Sequence, residues 1–281
     1  METIKEEIVS KVLEKKELRS LNRDIAKRIL LKDFPRRKYE AAETKEFNPR
    51  SKETKELVKE LRRKLRNVHG VFYNTSLSSK KKKKLLRKLP DRKVLNQILE
   101  THVSTKERLH EAKYLYQQIE DYYDGYNTVC DIGCGYNPLF FLERENIEKV
   151  YFADLSDTDI EFLRDIYDVY GKAYEAKTIN MINEVHREKV YEDVEGYDVA
   201  FCLKLFDSLE YLERDITKKI LSSLLTLMKK GVIASFSRRT VSGKNFIETE
   251  RYWFKELLSE FEVTQHVIET KNEKYILLKN E

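Results

Sequence analysis

A glycine turn with an acidic neighbour is the part of the sequence best suited to hold a small ligand. The segment CDIGCGYNPLF, residues 130–140, leads from an apolar stretch into Gly133-x-Gly135, with Asp131 two residues before the first glycine. A dinucleotide-binding turn would carry a third glycine where this chain has Pro138, and it would hold an anionic pyrophosphate at the helix N-terminus. The carboxylate of Asp131 would repel that anion. The turn therefore favours a ligand that carries positive charge.

Further side chains narrow the choice of ligand. Asp154 lies 19 residues after Gly135 at the end of a predicted second strand, where a carboxylate can accept both hydroxyl protons of a ribose. S-adenosylmethionine combines a ribose with a cationic sulfonium and an ammonium, and it has no phosphate. Asn180 and Met181 end a third strand, where Met181 would pack on the adenine. The alternatives are an ordinary turn aspartate at 154 and a core methionine at 181. We predict S-adenosylmethionine as the cofactor, bound by Asp131, Gly133, Gly135, Asp154, Asn180 and Met181.

The elements that would position these residues alternate between strand and helix after residue 101. The strands are NTVCDIG, KVYFADLS, AYEAKTIN, YDVAFCLKLF and GVIASFS, followed by a hairpin-like pair, EVTQHVIET and KYILLKN. Predicted helices include STKERLHEAKYLYQQIEDYY, with Ser104 and Glu107 as a capping box, PLFFLERENI, and DSLEYLERDITKKILSSLLTLMKK. This alternation predicts an α/β fold with a mostly parallel sheet and helices on both faces. Ligands of such sheets bind beyond the carboxyl ends of the strands.

The first hundred residues have a different composition. Residues 1–100 hold 30 Lys and Arg against 15 Asp and Glu, a net charge of +15, whereas residues 101–281 hold 24 against 34, a net charge of −10. Apolar residues recur at the helical period in IKEEIVSKVLEKKEL, LNRDIAKRILLKDF and TKELVKELRRKLRNVHG, and SLSSKKKKKLLRKLP and DRKVLNQILE add shorter helices. We expect a basic helical domain over residues 1–100 and a cofactor-binding domain over residues 101–281.

Clustered basic residues predict an anionic partner for the first domain. They include Lys80, Lys81, Lys82, Lys83 and Lys84, together with Arg62, Arg63 and Arg66. Basic runs on helices are typical of proteins that bind a phosphate backbone, although a lysine run is also common on a solvated helix face. The helices lack a broad Trp- and Phe-rich face, so RNA is favoured over a membrane surface.

The remaining composition points to a cytoplasmic protein with no metal site. No apolar run approaches the ~18 residues of a membrane span, and the N-terminus has no secretory pattern. The three cysteines, Cys130, Cys134 and Cys202, form no close pair beside a histidine cluster, so we expect buried reduced thiols.

Several motifs together resemble one enzyme family. HVSTKERL, followed by DIGCGYNPL, LKLFDSLE and SFSRRTVSGK, resembles the aminoglycoside-resistance 16S rRNA guanine-N7 methyltransferases, and the basic N-terminal helices also fit. The resemblance extends over nearly the whole chain. It implies a class I methyltransferase fold, Rossmann-like with a mostly parallel seven-stranded sheet. It also implies methylation of guanine N7 in the decoding site of 16S rRNA within the small ribosomal subunit. We expect the protein to be a monomer.

The resemblance also implies roles for single residues. His102 and Arg108 match positions that approach the cofactor, and Arg108 would pair with the methionyl carboxylate. Lys204, at the end of the fourth strand, would be the catalytic residue, in contact with the target or the transition state. The residues that would face RNA phosphates after the fifth strand are Arg238, Arg239 and Lys244.

Departures from the family pattern leave other functions open. Ser237 and Arg238 replace the Pro-Thr of the family motif, where the target would be recognised. The alternatives are a methyltransferase that acts on another rRNA or tRNA site, and a non-catalytic RNA-binding ribosome factor.

Overall fold

The computed structural model describes residues 2–15, 18, 23–33, 48, 50–68, 77–238 and 251–280. The chain divides into two compact units, Met1–Ser76 and Leu77–Glu281.

Three helices form the described part of the first unit: α1 (Glu2–Leu13), α2 (Arg23–Asp33) and α3 (Lys52–Val68). Each helix contacts the other two. Their apolar stripes meet in a small core that includes Ile8, Ile29 and Leu61, all fully buried. The three helices predicted from the periodicity are therefore confirmed, because burying one apolar stripe per helix is what that period requires.

The second unit contains a seven-stranded sheet and the remaining helices. The strands are β1 (Thr128–Ile132), β2 (Lys149–Asp154), β3 (Ala173–Thr178), β4 (Val199–Leu203), β5 (Gly231–Ser237), β6 (Val263–Glu269) and β7 (Glu273–Asn280). The helices are α4 (Ser79–Leu86), α5 (Arg92–Leu99), α6 (Val103–Arg108), α7 (Ala112–Tyr122), α8 (Asp157–Tyr170), α9 (Glu184–Val194), α10 (Phe206–Leu212), α11 (Ile216–Leu227) and α12 (Tyr252–Leu258).

The sheet has the order β3-β2-β1-β4-β5-β7-β6. The first five strands are parallel, and β7 runs antiparallel to both β5 and β6. The chain moves outward from β1 to β3 and then returns to β4, so right-handed crossovers place helices on both faces. The predicted fold class and the final hairpin are confirmed. The strand order reverses between β1 and β4, and the carboxyl ends of these strands are the expected ligand site.

The core of the second unit includes two helices that the sequence groups with the basic region. Leu85 of α4 and Ile98 of α5 are buried in one cluster with Val129 and Phe201 of the central strands. The division by contacts therefore falls at residue 76, whereas the sequence predicts a boundary at residue 100. Charge composition identifies the basic helices, but it does not indicate in which hydrophobic core their apolar residues are buried.

The predicted capping box is wrong. Helix α6 begins at Val103, so Ser104 lies inside it, and the residue in the N-cap position is His102. The carboxylate of Glu107 accepts a hydrogen bond from Lys204 Nζ at 2.7 Å instead of capping the helix. The predicted long helix is also two helices, because α7 begins only at Ala112.

Two other predicted helices are shorter than expected. The segment after the glycine turn forms a 3₁₀ turn over Asn137–Phe141, with proline in its first positions. Helices α10 and α11 are separate because Asp215 has a positive φ of 62°. The carboxylate of Glu210 accepts the N–H groups of Asp215 and Thr217 at 2.5 and 3.2 Å, which satisfies the start of α11.

All three cysteines are buried as free thiols. None of the helices in the described part of the chain is long and apolar enough to cross a bilayer.

Candidate active site

The glycine turn lies at the carboxyl end of β1. Gly133 and Gly135 have φ values of 68° and 50°, a conformation that glycine adopts without strain. A Cβ atom on Gly133 would lie 2.8 Å from Leu205 Cδ1, and one on Gly135 would lie 2.8 Å from the imidazole of His102. The backbone N–H of Gly133 donates to the carbonyl of Ala153 at 2.8 Å and ties the turn to β2. Both glycines are therefore required by backbone conformation, and a side chain at position 135 would also meet the His102 ring.

Asp154 holds a negative charge beside this turn. Its carboxylate accepts the N–H of Gly135 at 2.9 Å and the N–H groups of Leu155 and Ser156 at 2.7 and 3.3 Å. These three bonds fix the orientation of the carboxylate beside the glycine turn.

Asp131 is fully buried at the end of β1. Its Oδ2 accepts the side-chain amide of Asn137 at 2.7 Å, whereas Oδ1 receives no hydrogen bond from the residues that the structure describes. Burial raises the pKa of this carboxyl to about 7, against the lowering effect of Asn137 and of the Arg108 charge. A buried acid with an unpartnered oxygen is unstable when ionised, and a nearby cation would relieve that cost.

Arg108 is buried and already partnered within the chain. Its Nε and Nη2 donate to the two carboxylate oxygens of Glu273 at 3.0 and 2.8 Å. Nε also lies 3.2 Å from the hydroxyl of Tyr275, and Nη1 donates to Asn137 Oδ1 at 3.1 Å. Pairing of Arg108 with a ligand carboxylate stays a prediction, and within the described part of the chain its guanidinium already binds Glu273, Tyr275 and Asn137.

Glu273 connects Arg108 to the end of β4. It is 1% exposed and receives a hydrogen bond from Ser235 Oγ. Burial opposes ionisation of this carboxyl, but the positive charges of Arg108 and Lys204 lower its pKa to about 2. Glu273 is therefore a buried carboxylate that holds two cations in place.

Lys204 follows β4 in a strained backbone conformation. Its φ is 55°, which is uncommon for a lysine and typical of functional sites. Its backbone N–H donates to the carbonyl and hydroxyl oxygens of Ser235 at 3.0 and 3.1 Å. Its Nζ lies 2.7 Å from Glu107 Oε2 and 3.6 Å from Glu273 Oε2. The ammonium is thus held between two carboxylates at the carboxyl edge of the sheet.

The other predicted cofactor residues surround the same edge. His102 is buried, and its ring centroid lies 5.5 Å from that of Tyr136. Asn180 and Met181 follow β3 and are buried. The Asn180 backbone N–H donates to His186 Nδ1 at 3.1 Å, and the Asn180 side chain accepts the N–H of Ile182 at 3.0 Å. These bonds rigidify the turn after β3.

Hydrogen bonds connect the predicted site residues through side chains that the sequence analysis did not assign to the site. Asn137 joins Asp131 to Arg108, Glu273 joins Arg108 to Ser235, and Glu107 pairs with Lys204. Asn137 and Glu107 lie within recognisable motifs, but Glu273 has no signal in the sequence beyond its place at the start of the last strand.

The predicted RNA-binding lysines lie mainly on the exposed face of α4. Ser78 caps this helix by accepting the N–H of Lys81. Lys82 is the exception, because its Nζ donates to Thr158 O at 2.8 Å and to Asp159 at 3.1 Å. The exposed lysines of this helix are Lys80, Lys81, Lys83 and Lys84.

A basic groove occurs in the first unit. Its volume is about 310 Å³, and it is lined by Lys11, Lys15, Lys55, Val58, Lys59, Arg62 and Arg66. Arg62 donates to the carbonyl oxygens of Lys11 and Val12 at the end of α1, whereas Arg63 is exposed. The basic surface predicted at Arg62 and Arg66 therefore extends to four lysines.

Arg238 packs on the final hairpin, with Nη1 2.8 Å from the carbonyl of Thr270 and 3.4 Å from Glu269. The predictions for Arg239 and Lys244 lie outside the described residues.

Solved structures with similar folds include several rRNA methylases. The 16S rRNA methyltransferase RmtF, solved with S-adenosyl-L-homocysteine, has a TM-score of 0.77 and 21% identity, with complete coverage of both chains. The 16S rRNA methylase RmtB has a TM-score of 0.69 and 22% identity, covering 99% of this chain and 98% of its own. An rRNA methylase from Escherichia coli has a TM-score of 0.68 and 22% identity, covering 99% of this chain and 100% of its own. At these identities the likeness shows a shared fold.

Sequence comparison gives the family. No curated protein sequence is significantly similar to the chain. The model of the FmrO ribosomal RNA methyltransferases matches residues 42–276, which is most of the chain and includes every element of the site. The chain belongs to the FmrO family of ribosomal RNA methyltransferases.

Proposed function

We propose that this protein uses S-adenosylmethionine to methylate guanine N7 in the decoding site of 16S rRNA within the small ribosomal subunit. Such a modification would give resistance to aminoglycosides that contact that edge of the base. The observation that carries the proposal is the placement of two carboxylates and a glycine turn at the point where strand order reverses. The rRNA substrate follows from the family, and RmtF, which shares the fold, was solved with the demethylated cofactor.

The residues at this edge fit the proposed cofactor. Asp131 carries a buried oxygen with no hydrogen bond from the described part of the chain, which suits an ammonium or a sulfonium. Gly133 and Gly135 leave no room for a side chain of their own, and Asp154 is oriented by three N–H groups to accept ribose hydroxyls. Asn180 and Met181 would form the adenine end.

The chain's own part in catalysis is positioning and charge. When bound, the cofactor would supply a methyl group on a cationic sulfur. Guanine N7 carries a lone pair and no proton, so it could accept this methyl group without a general base. Arg108 and Glu273 would hold α6 and the start of β7 together. Lys204 would contact the target base from a backbone that Ser235 fixes. Alignment of this kind is worth up to ~7–11 kcal/mol in well-oriented systems.

Transfer of tritium from labelled cofactor to purified small subunits tests the proposal. We expect label in 16S rRNA at a guanine that mass mapping places in the decoding site. Asp154→Ala should abolish calorimetric cofactor binding and transfer together. Label at another rRNA or tRNA position would support the methyltransferase alternative, and cofactor binding without transfer to any RNA would contradict the proposal.

The monomeric state and the cytoplasmic location stay predictions.

The exposed lysines of α4 are expected to contribute to subunit binding by neutralising RNA phosphates. Replacing Lys80, Lys81, Lys83 and Lys84 together with Gln should weaken binding. It should also reduce the slope of log affinity against log salt by about 1 for each phosphate that is no longer neutralised. Lys82 is kept because it anchors the helix to Asp159. Binding is measured by filter retention at several salt concentrations.

A matched control removes four exposed lysines from other helices of the second unit, Lys113, Lys189, Lys219 and Lys255. An equal decrease of salt dependence in this control would show that only total charge matters, and the proposed role of α4 would be wrong.

A further inference from the structure

The Glu107–Lys204 ion pair presents a hydrogen-bond donor directly beside an acceptor. Lys204 Nζ lies 2.7 Å from Glu107 Oε2, and the side chains of Lys204 and Glu107 are 9% and 33% exposed. Leu205, the next residue, is in close contact with the position of Gly133, so the pair lies near the glycine turn. Glu107 is therefore a partly accessible carboxylate at the edge where the proposed transfer would take place.

The order of donor and acceptor in this pair is complementary to guanine. On its Watson–Crick edge guanine has the O6 acceptor next to the N1–H donor, followed by the N2 amino group. In the same orientation, with O6 replaced by N6 and N7 directed at the methyl donor, adenine has the reverse order, with the N6 amino donor next to the N1 acceptor. An ammonium can only donate, and a carboxylate can only accept. Enzymes that modify a base commonly extrude it and recognise its Watson–Crick edge by hydrogen bonds.

We propose that Lys204 donates to O6 of the target guanine while Glu107 accepts from N1–H and the N2 amino group, so that this pair selects guanine over adenine. The inference rests on the proposed function. Methylation at N7 would place positive charge on the guanine ring and make N1–H a stronger donor, so the bond to Glu107 would strengthen as transfer proceeds.

The surrounding residues fix this pair in position. Ser235 accepts the backbone N–H of Lys204 with both of its oxygens. Glu273 lies 3.6 Å from the ammonium, so Lys204 keeps a carboxylate near it when Glu107 turns toward a base. Arg108, the residue after Glu107, is held by both oxygens of Glu273. A recognition pair held in this way loses little freedom on binding.

Glu107→Gln tests the proposal, because it keeps the side-chain shape and removes the carboxylate. We expect kcat/KM for native small subunits to fall about 10- to 100-fold, with calorimetric cofactor affinity and Tm unchanged. The matched control is Glu111→Gln, the same change one turn along the same segment, which should keep wild-type transfer.

Base preference separates recognition from a structural role. The guanine mapped in the transfer experiment is replaced by adenine in the rRNA gene, and the ratio of transfer rates to native and adenine-containing subunits is compared. Glu107→Gln should lower this ratio, because an amide can also donate to adenine N1, whereas Glu107→Asp should preserve the ratio even if its rate falls. A structural role would change both rates equally.

An unchanged ratio in Glu107→Gln, or full activity of that variant, would overturn this inference while the proposed function stands. A wild-type protein that binds the cofactor and transfers no methyl group to rRNA would overturn both.

Discussion

Replacing Asp131 with asparagine is expected to stabilise the free protein near pH 8 and to weaken its binding of S-adenosylmethionine. Burial raises the pKa of Asp131 from 3.8 to about 7, so ionising this group in the folded state costs up to about 4 kcal/mol at about 1.4 kcal/mol per pH unit. The asparagine avoids this cost. Its amide oxygen can still accept from Asn137, and its NH₂ takes the place of Oδ1, which offsets part of the gain.

The pH dependence of the unfolding free energy distinguishes the cost of ionising Asp131 from a change in side-chain packing. Between pH 3.8 and about 7 the folded state binds more protons at Asp131 than the unfolded state, so wild-type stability falls as pH rises through that window. The variant lacks this loss. The difference in unfolding free energy, from urea titrations at pH 5 and pH 8, should therefore grow with pH. A cationic cofactor favours the ionised carboxyl, so wild-type affinity should rise over the same pH range, and that of the variant should not.

Asp198, at the other edge of the sheet, provides a control because its pKa is shifted in the opposite direction. Partial burial opposes the shift, but the N–H groups of Asn127 and Thr128 lower the pKa of this carboxyl. Its stabilisation is present above pH 3.8 and is lost as pH falls below that value. Asp198→Asn should therefore destabilise the protein at pH 8 and leave cofactor affinity unchanged. Equal cofactor binding by Asp131→Asn and wild type at pH 8 would exclude the proposed contact with the cation.

Replacing Glu273 with glutamine is expected to cost about 3–5 kcal/mol of unfolding free energy, the usual effect of removing one partner of a buried ion pair. Glutamine keeps one acceptor for Arg108 or Ser235 but leaves the guanidinium charge uncompensated at 4% exposure. Thermal unfolding measures the loss. The double variant Arg108→Gln/Glu273→Gln should recover most of it, because no unpaired charge remains.

Glu269→Gln is the matched control in the same hairpin. Its carboxylate pairs with Arg238 and Lys274 at the surface, where each side chain is 39–45% exposed. Such pairs contribute about 0–1 kcal/mol, so Tm should barely change. A Glu273→Gln variant as stable as this control would show that the buried pair is not a major contribution to stability.

Local patterns were sufficient to predict the parts of the site that depend on neighbouring residues. The conformations of Gly133 and Gly135 follow from a tight turn after a buried strand, and Asp154 lies at the next strand end. The prediction of a capping box was wrong because its outcome depends on a residue that is distant in the sequence. The Ser104–Glu107 spacing satisfies a local rule, but a distant ammonium competes for the carboxylate, and local spacing carries no information about that competitor.

Local sequence patterns specify the residues that end each strand, and they place an acid and two glycines at the first turn. Which charged side chains meet depends on the tertiary structure. Arg108 and Glu273 are 165 residues apart and contact each other because β7 pairs antiparallel with β5, which brings its first residue to the carboxyl edge of the parallel strands. Lys204 and Glu107, 97 residues apart, meet at the same edge. Hydrophobic periodicity specifies which faces are buried, but the pairing of buried charges depends on strand order and register, which the chain acquires only on folding.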